Sequence, residues 1–141
     1  MMNVRSIQLA DYRRIKELFE EVLSEEVCEQ TLIAFGRQLG WDSDLVIVAE
    51  ADNEIVGVII GTIDNNKGYY YRIVIAESYQ NREIDKQLAE ALKQRFDQKK
   101  VSKIYITADE ANEPIFPLFE SLGFAATDFI TSFKKLSIVS G

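Results

Sequence analysis

The chain has 141 residues, enough for one domain with its own core, and 47% hydrophobic and 28% charged residues is a soluble globular balance. The net charge of −7, with no segment that gathers lysine and arginine, argues against nucleic-acid binding and favours cationic or amine-bearing partners over acidic ones. The absence of histidine removes Ser-His-Asp triads, Cys-His dyads and histidine-ligated metal, and no metal site is expected.

The N-terminal stretch MMNVRSIQ lacks the apolar segment of a signal peptide. No apolar run approaches the roughly 20 residues of a membrane helix, so no membrane role is expected. A single Cys28 has no internal partner and fits a reducing compartment. The expected location is the cytoplasm.

In chain order, VRSIQL (4–9) reads as a short first strand. From Asp11, a good N-cap, Ile15, Leu18, Phe19, Val22 and Leu23 fall on one helical face. A second helical pattern runs through Cys28, Leu32, Phe35 and Leu39 and ends near Gly40. DLVIVAE (44–50) and EIVGVIIGTID (54–64) are strands joined by a hairpin turn at ADNE. DNNKG turns the chain into YYYRIVIA (69–76), so three strands form an antiparallel meander. A helix follows with Ile84, Leu88, Ala91, Leu92 and Phe96 on one stripe. KIYIT (103–107) is a strand, and a helix through Ile115, Phe119 and Leu122 stops at Gly123, a left-handed C-cap. Pro114 is easy in a first turn, but Pro117 reads as late enough to remove a helical hydrogen bond and distort the helix start. DFITSFKKL (128–136) closes the chain as a last strand. The order β-α-α-β-β-β-α-β-α-β, with one parallel crossover, predicts a single α+β domain, residues 1–141, with a mixed, partly antiparallel central sheet flanked by helices.

The stretch ESYQNREIDKQLAEAL (77–92) is a strand end, a loop and a helix start. Such a loop is a natural phosphate cradle, because unpaired N–H groups and the positive end of the helix dipole face outward together. This one holds two acids, Glu83 and Asp85. Acids in a first helical turn are themselves favoured by about 0.3–1 kcal/mol each, so the protein could supply its own anions there.

The element order and three local patterns together resemble the GNAT superfamily of acyl-CoA-dependent N-acyltransferases. The first pattern is Tyr79–Gln80, two spacers Asn81 and Arg82, then Glu83–Ile84–Asp85, with acids where the family carries glycine. The second is NEPIFPLFESLGF (112–124). The third is the Gly123–Phe124 corner before a terminal strand. The resemblance implies acetyl-CoA as cofactor and direct transfer of its acetyl group to a small-molecule or peptide amine. It places the pantetheine arm along Ile73, Val74 and Ile75 in a gap between strands. It places the pyrophosphate on Gln80, Asn81, Arg82, Glu83, Ile84, Asp85 and Lys86, and a cofactor contact at Asn112. Phe119 occupies the position of the family's acid tyrosine and has no hydroxyl to donate.

Tyr71, Glu77 and Asp109 lie near strand ends beside the expected gap and are candidates for general base, with Glu54 starting a neighbouring strand. Tyr69, Tyr70 and Tyr71 alternate across a strand, so their rings either line an acceptor pocket or pack across strands. The resemblance implies that Trp41, in the loop after the second helix, edges the acceptor side, and Cys28 reads as a small buried apolar residue. Two functions remain open: an N-acetyltransferase, or a GNAT-like module for binding or dimerisation with impaired CoA binding. A homodimer is compatible with either.

Overall fold

The computed structural model describes residues 2–80 and 83–141. One six-stranded sheet, its strands side by side in chain order, carries the fold. Strand β1 (Met2–Ser6) leads into α1 (Tyr12–Val22) and α2 (Glu25–Trp41). The meander β2 (Val46–Ala51), β3 (Glu54–Asp64) and β4 (Lys67–Ile75) follows, antiparallel throughout. Helix α3 (Ile84–Gln98) crosses to β5 (Lys103–Thr107), which runs parallel to β4. Helix α4 (Phe116–Ser121), the two-residue strand β6 (Phe129–Ile130) and a terminal turn of helix, α5 (Ser137–Ser140), complete the chain. The expected order and mixed α+β sheet are therefore present.

Local chemistry explains the turns. Asp52 and Asn53 adopt φ of 53° and 65°, and Asn65 and Asn66 adopt 51° and 62°. Two successive left-handed residues make the tight hairpin turn whose twist matches flanking strands, and Asn and Asp tolerate that conformation. Gly123 ends α4 at φ 98°, with Phe124 N–H donating to Phe119 O and Gly123 N–H to Glu120 O. Helix α3 lies close on the sheet because β3 and β4 present glycines beneath it. A Cβ on Gly61 would stand 2.7 Å from Leu92, and one on Gly68 would stand 2.9 Å from Phe96.

Three details differ from the sequence reading. Asp11 stands before α1 but makes no side-chain cap to it. Its carboxylate instead accepts from Arg5 at 2.7 and 3.0 Å and from Gln8 N–H at 2.8 Å. Pro117 causes no distortion, because a 3-10 turn over Glu113–Ile115 precedes α4; each proline is the second residue of its own short helix. Only Phe129–Ile130 of the last expected strand pairs, parallel to β5. Beyond it Phe133, Leu136 and Ile138 are buried, and Arg37 of α2 donates to the carbonyls of Ile138 and Val139. Burial against α2 outweighs strand extension there.

Arg5 holds the Asp11 carboxyl below its ordinary range, chiefly through the side-chain hydrogen bond, against an opposing desolvation cost. Its folded-state affinity for a proton is lowered, so its stabilisation is complete above the ordinary carboxylate range. That stabilisation fades as pH falls below this range toward the lowered value. Asp11→Asn should lower stability at neutral pH by about 1–3 kcal/mol, and the difference from wild type should shrink on acidification. Denaturant titrations at neutral and acidic pH check this; a constant difference would contradict it.

Candidate active site

The site begins where β4 and β5 part. Their parallel ladder covers Lys67–Tyr70 against Lys103–Ile106 and ends there. The cause is local to β4. Ile60 of β3 pairs with Arg72 and Gly61 pairs with Tyr70, so Tyr71 is the extra residue of a β-bulge. A bulge bends its strand and raises the local twist, and β4 turns away from β5 at that residue.

The divergence opens a cavity of about 520 Å³. One wall is Ile73 and Ile75 of β4. Another is Glu110, Ala111, Pro114 and Ile115, between β5 and α4. The joint between α1 and α2 closes a third side with Val22, Leu23, Ser24 and Val27, and Gln80, Ile84 and Asp85 stand at the mouth of α3. The walls are mainly apolar. Among the described lining residues the charged side chains are Asp85 and Glu110, both acids.

At the start of α3, Glu83 adopts φ 61° and ψ 16°. That left-handed conformation is free for glycine and costs another residue roughly 1–2 kcal/mol. The backbone therefore keeps a glycine-type turn although the side chain is Glu. Two residues on, the Asp85 carboxylate accepts from the Lys86 N–H at 2.9 Å, so one first-turn donor already has an anion. Gln80 donates from Nε2 to Ile75 O at 3.2 Å, tying the loop back to the strand end. Asn81 and Arg82 lie outside the described residues.

The expected base candidates do not meet in the cavity. Tyr71 is 1% exposed and its hydroxyl faces the Arg72 guanidinium at 3.4 Å. Asp109 accepts from Arg72 with both oxygens at 2.9 Å. Glu77 and Glu54 line a separate groove with Arg14 and Glu21. The Asn112 side chain is buried, its oxygen taken by Arg72 and its Nδ2 by Tyr71 O and Thr107. Phe119 is buried in the core, its ring 4.8 Å from that of Tyr70 and 5.9 Å from that of Phe124. It does not line the cavity. The tyrosine run is packing: Tyr69 stacks on Tyr105, Tyr70 donates to Ala89 O, and Tyr71 meets Phe133. Trp41 is exposed and does not line the cavity, and Cys28 is buried.

Two residues that the sequence reading did not single out stand here. Arg72 is an arginine amid the apolar run YYYRIVI, and that mismatch was the available signal. Glu110 is one acid among many in sequence, and nothing there marks it.

Residues 12–124 match the model of the Acetyltransferase (GNAT) family. The chain belongs to the GNAT acetyltransferase family. It is 27% identical over 135 residues to an acetyltransferase of Pectobacterium atrosepticum, covering 96% of each chain. Among solved structures, the PaiA N-acetyltransferase of Thermoplasma acidophilum in complex with coenzyme A matches with TM-score 0.72 at 21% identity, over 89% of this chain and 90% of that one. The diaminobutyrate acetyltransferase EctA of Paenibacillus lautus, in complex with L-2,4-diaminobutyric acid and coenzyme A, matches with TM-score 0.68 at 21% identity, over 86% and 74%. These GNAT structures share the fold described above.

The left-handed turn at Glu83 gives a stability test. Glu83→Ala retains a Cβ in that conformation and Glu83→Gly does not, while both remove the same charge. The Gly variant should therefore be the more stable by about 1 kcal/mol. Equal stability would mean that the turn carries no left-handed strain.

Proposed function

We propose that this GNAT protein is an N-acetyltransferase that moves the acetyl group of acetyl-CoA to an amine. The carrying observation is the cavity between the parted strands, with a stretch of β4 that pairs with β3 but not with β5 on one wall and a glycine-type turn at its mouth. Ile73–Ile75 would align the extended arm of the cofactor by backbone hydrogen bonds. The first turn of α3 would receive the phosphates. The bound cofactor supplies an activated acetyl thioester. Fit is good for the arm and contested at the phosphates, where the Asp85 carboxylate has to turn off the Lys86 N–H.

In the transfer, the amine nitrogen, reacting in its neutral form after any ammonium proton has gone to water, forms a bond to the acetyl carbon, the carbon–sulfur bond breaks with its electron pair leaving on sulfur, and the nitrogen gives up one proton. Among the described lining residues, Glu110 is the carboxylate on the wall between β5 and α4, and we assign it the proton. Asp109 and Tyr71 are engaged by Arg72 and fit that role less well. Phe119 offers the thiolate no proton. A thiolate with a pKa near 8.5, by analogy with cysteine, can take one from water. A cavity whose described charged lining is acidic favours a cationic, small or peptide amine as acceptor.

The check is thiol release from acetyl-CoA across a panel of diamines, amino acids and peptides, with calorimetry of CoA binding in parallel. Release with at least one amine is expected, and Glu110→Gln should lower kcat by about 10²–10⁴-fold with CoA affinity kept. CoA binding without turnover on any amine would favour the binding module instead. No CoA binding at millimolar concentration would overturn the reading.

A further inference from the structure

Arg72 is 1% exposed, and an arginine cannot shed its charge. Its partners come from α2, from β4 itself and from the segment joining β5 to α4. Nε donates to Thr31 Oγ1 of α2 at 3.1 Å. One terminal nitrogen donates to both oxygens of Asp109 at 2.9 Å and to Asn112 Oδ1 at 3.2 Å. The other donates to the Tyr71 hydroxyl at 3.4 Å, and the guanidinium carbon stands 4.8 Å from the Tyr71 ring centroid.

Asn112 faces the strands themselves. Its Nδ2 donates to Tyr71 O at 2.8 Å, to Thr107 O at 2.9 Å and to Thr107 Oγ1 at 2.8 Å. Thr107 Oγ1 in turn donates to Tyr71 O at 2.7 Å. Tyr71 and Thr107 are the next residues after the last ladder pair, Tyr70 and Ile106. A side-chain amide thus takes up the carbonyls just where strand pairing stops. The Asn112 N–H also bonds Asp109 Oδ1 at 3.0 Å, closing a turn that Arg72 holds from the other side.

We infer that Arg72, Asp109 and Asn112 form a spacer that sets the distance between β4 and the segment joining β5 to α4, and so positions the two facing walls of the cavity. Ile73 and Ile75 follow Arg72 on one wall; Glu110 and Ala111 lie between Asp109 and Asn112 on the other. Stability alone gives little reason for the cluster, since apolar replacement of a buried ion pair is commonly neutral or stabilising. The three are positioning residues, acting on cofactor and amine through the walls they hold. Their functional consequence rests on the acetyltransferase reading; their mechanical role does not.

The test uses Arg72→Lys, which keeps the charge but not the fork, and Asn112→Ser, which keeps one hydroxyl donor. Amide hydrogen exchange is read without ligand. The spacer predicts protection at residues 71–75 and 107–115 falling by about tenfold or more, with the β2–β3 pair little changed. CoA calorimetry and steady-state kinetics are read alongside. The Kd for CoA and the KM for acetyl-CoA should rise together by about tenfold, more than kcat falls, without a change in the pH profile of kcat. Uniform loss of protection, or none, in whichever variant folds would overturn the spacer. So would lower thermal stability with unchanged exchange around the gap and unchanged Kd. If wild type binds no CoA, the acetyltransferase reading fails and exchange still decides the spacer.

Discussion

The fold depends on one interruption. A parallel ladder between β4 and β5 stops after four pairs, because the bulge at Tyr71 turns β4 aside. An interrupted ladder leaves backbone carbonyls without partners in the interior, and a buried unpaired polar group costs about 1–3 kcal/mol. Here Asn112 and Thr107 satisfy them from side chains, and Arg72 and Asp109 hold Asn112 in place. Arg72 is buried and Asp109 partly so; removing one partner of a fully buried pair typically costs about 3–5 kcal/mol, which bounds the cost here from above. The cluster therefore resists closure of the gap, whereas the apolar walls beyond it do not.

The same geometry explains the acids at the start of α3. On the proposed function, the left-handed backbone at Glu83 suits phosphates and the charge of the turn opposes them. Asp85 occupies a first-turn N–H much as a ligand oxygen would. At about 6 Å, two unit charges repel by roughly 0.7 kcal/mol in bulk water and 2.8 kcal/mol at an effective dielectric near 20. The repulsion is modest and screened over about 10 Å at 0.1 M salt. It weakens an anionic cofactor more than it forbids one, and affinity should be poorer at low salt than the shape of the site alone would give.

Where sequence pattern and burial share one cause, the sequence was legible. The run 54–64 and the run 103–107 are strands over the bounds read from their alternation and apolar content. The hairpin turns follow from Asp52–Asn53 and Asn65–Asn66, and the end of α4 from Gly123. The terminal segment was misread because KKL after an apolar pair suits a strand edge, while the deciding contact, Arg37 to the carbonyls of Ile138 and Val139, joins residues far apart in sequence. The site was less legible for the same reason. Asp109 stands out in the sequence for its place beside the gap and Asn112 through the family resemblance, but their link to Arg72 spans 37 and 40 residues. Glu83 read as a lost glycine, and only φ shows that the turn outlived the substitution.

The most direct measurement of the central claim is a crystal structure of the protein grown with CoA. The account predicts the pantetheine arm in the gap, hydrogen-bonded to the backbone of Ile73–Ile75, the phosphates against the first turn of α3, and the Asp85 carboxylate turned away from the Lys86 N–H. CoA bound elsewhere, or a gap closed by β4–β5 pairing beyond Tyr70, would contradict it.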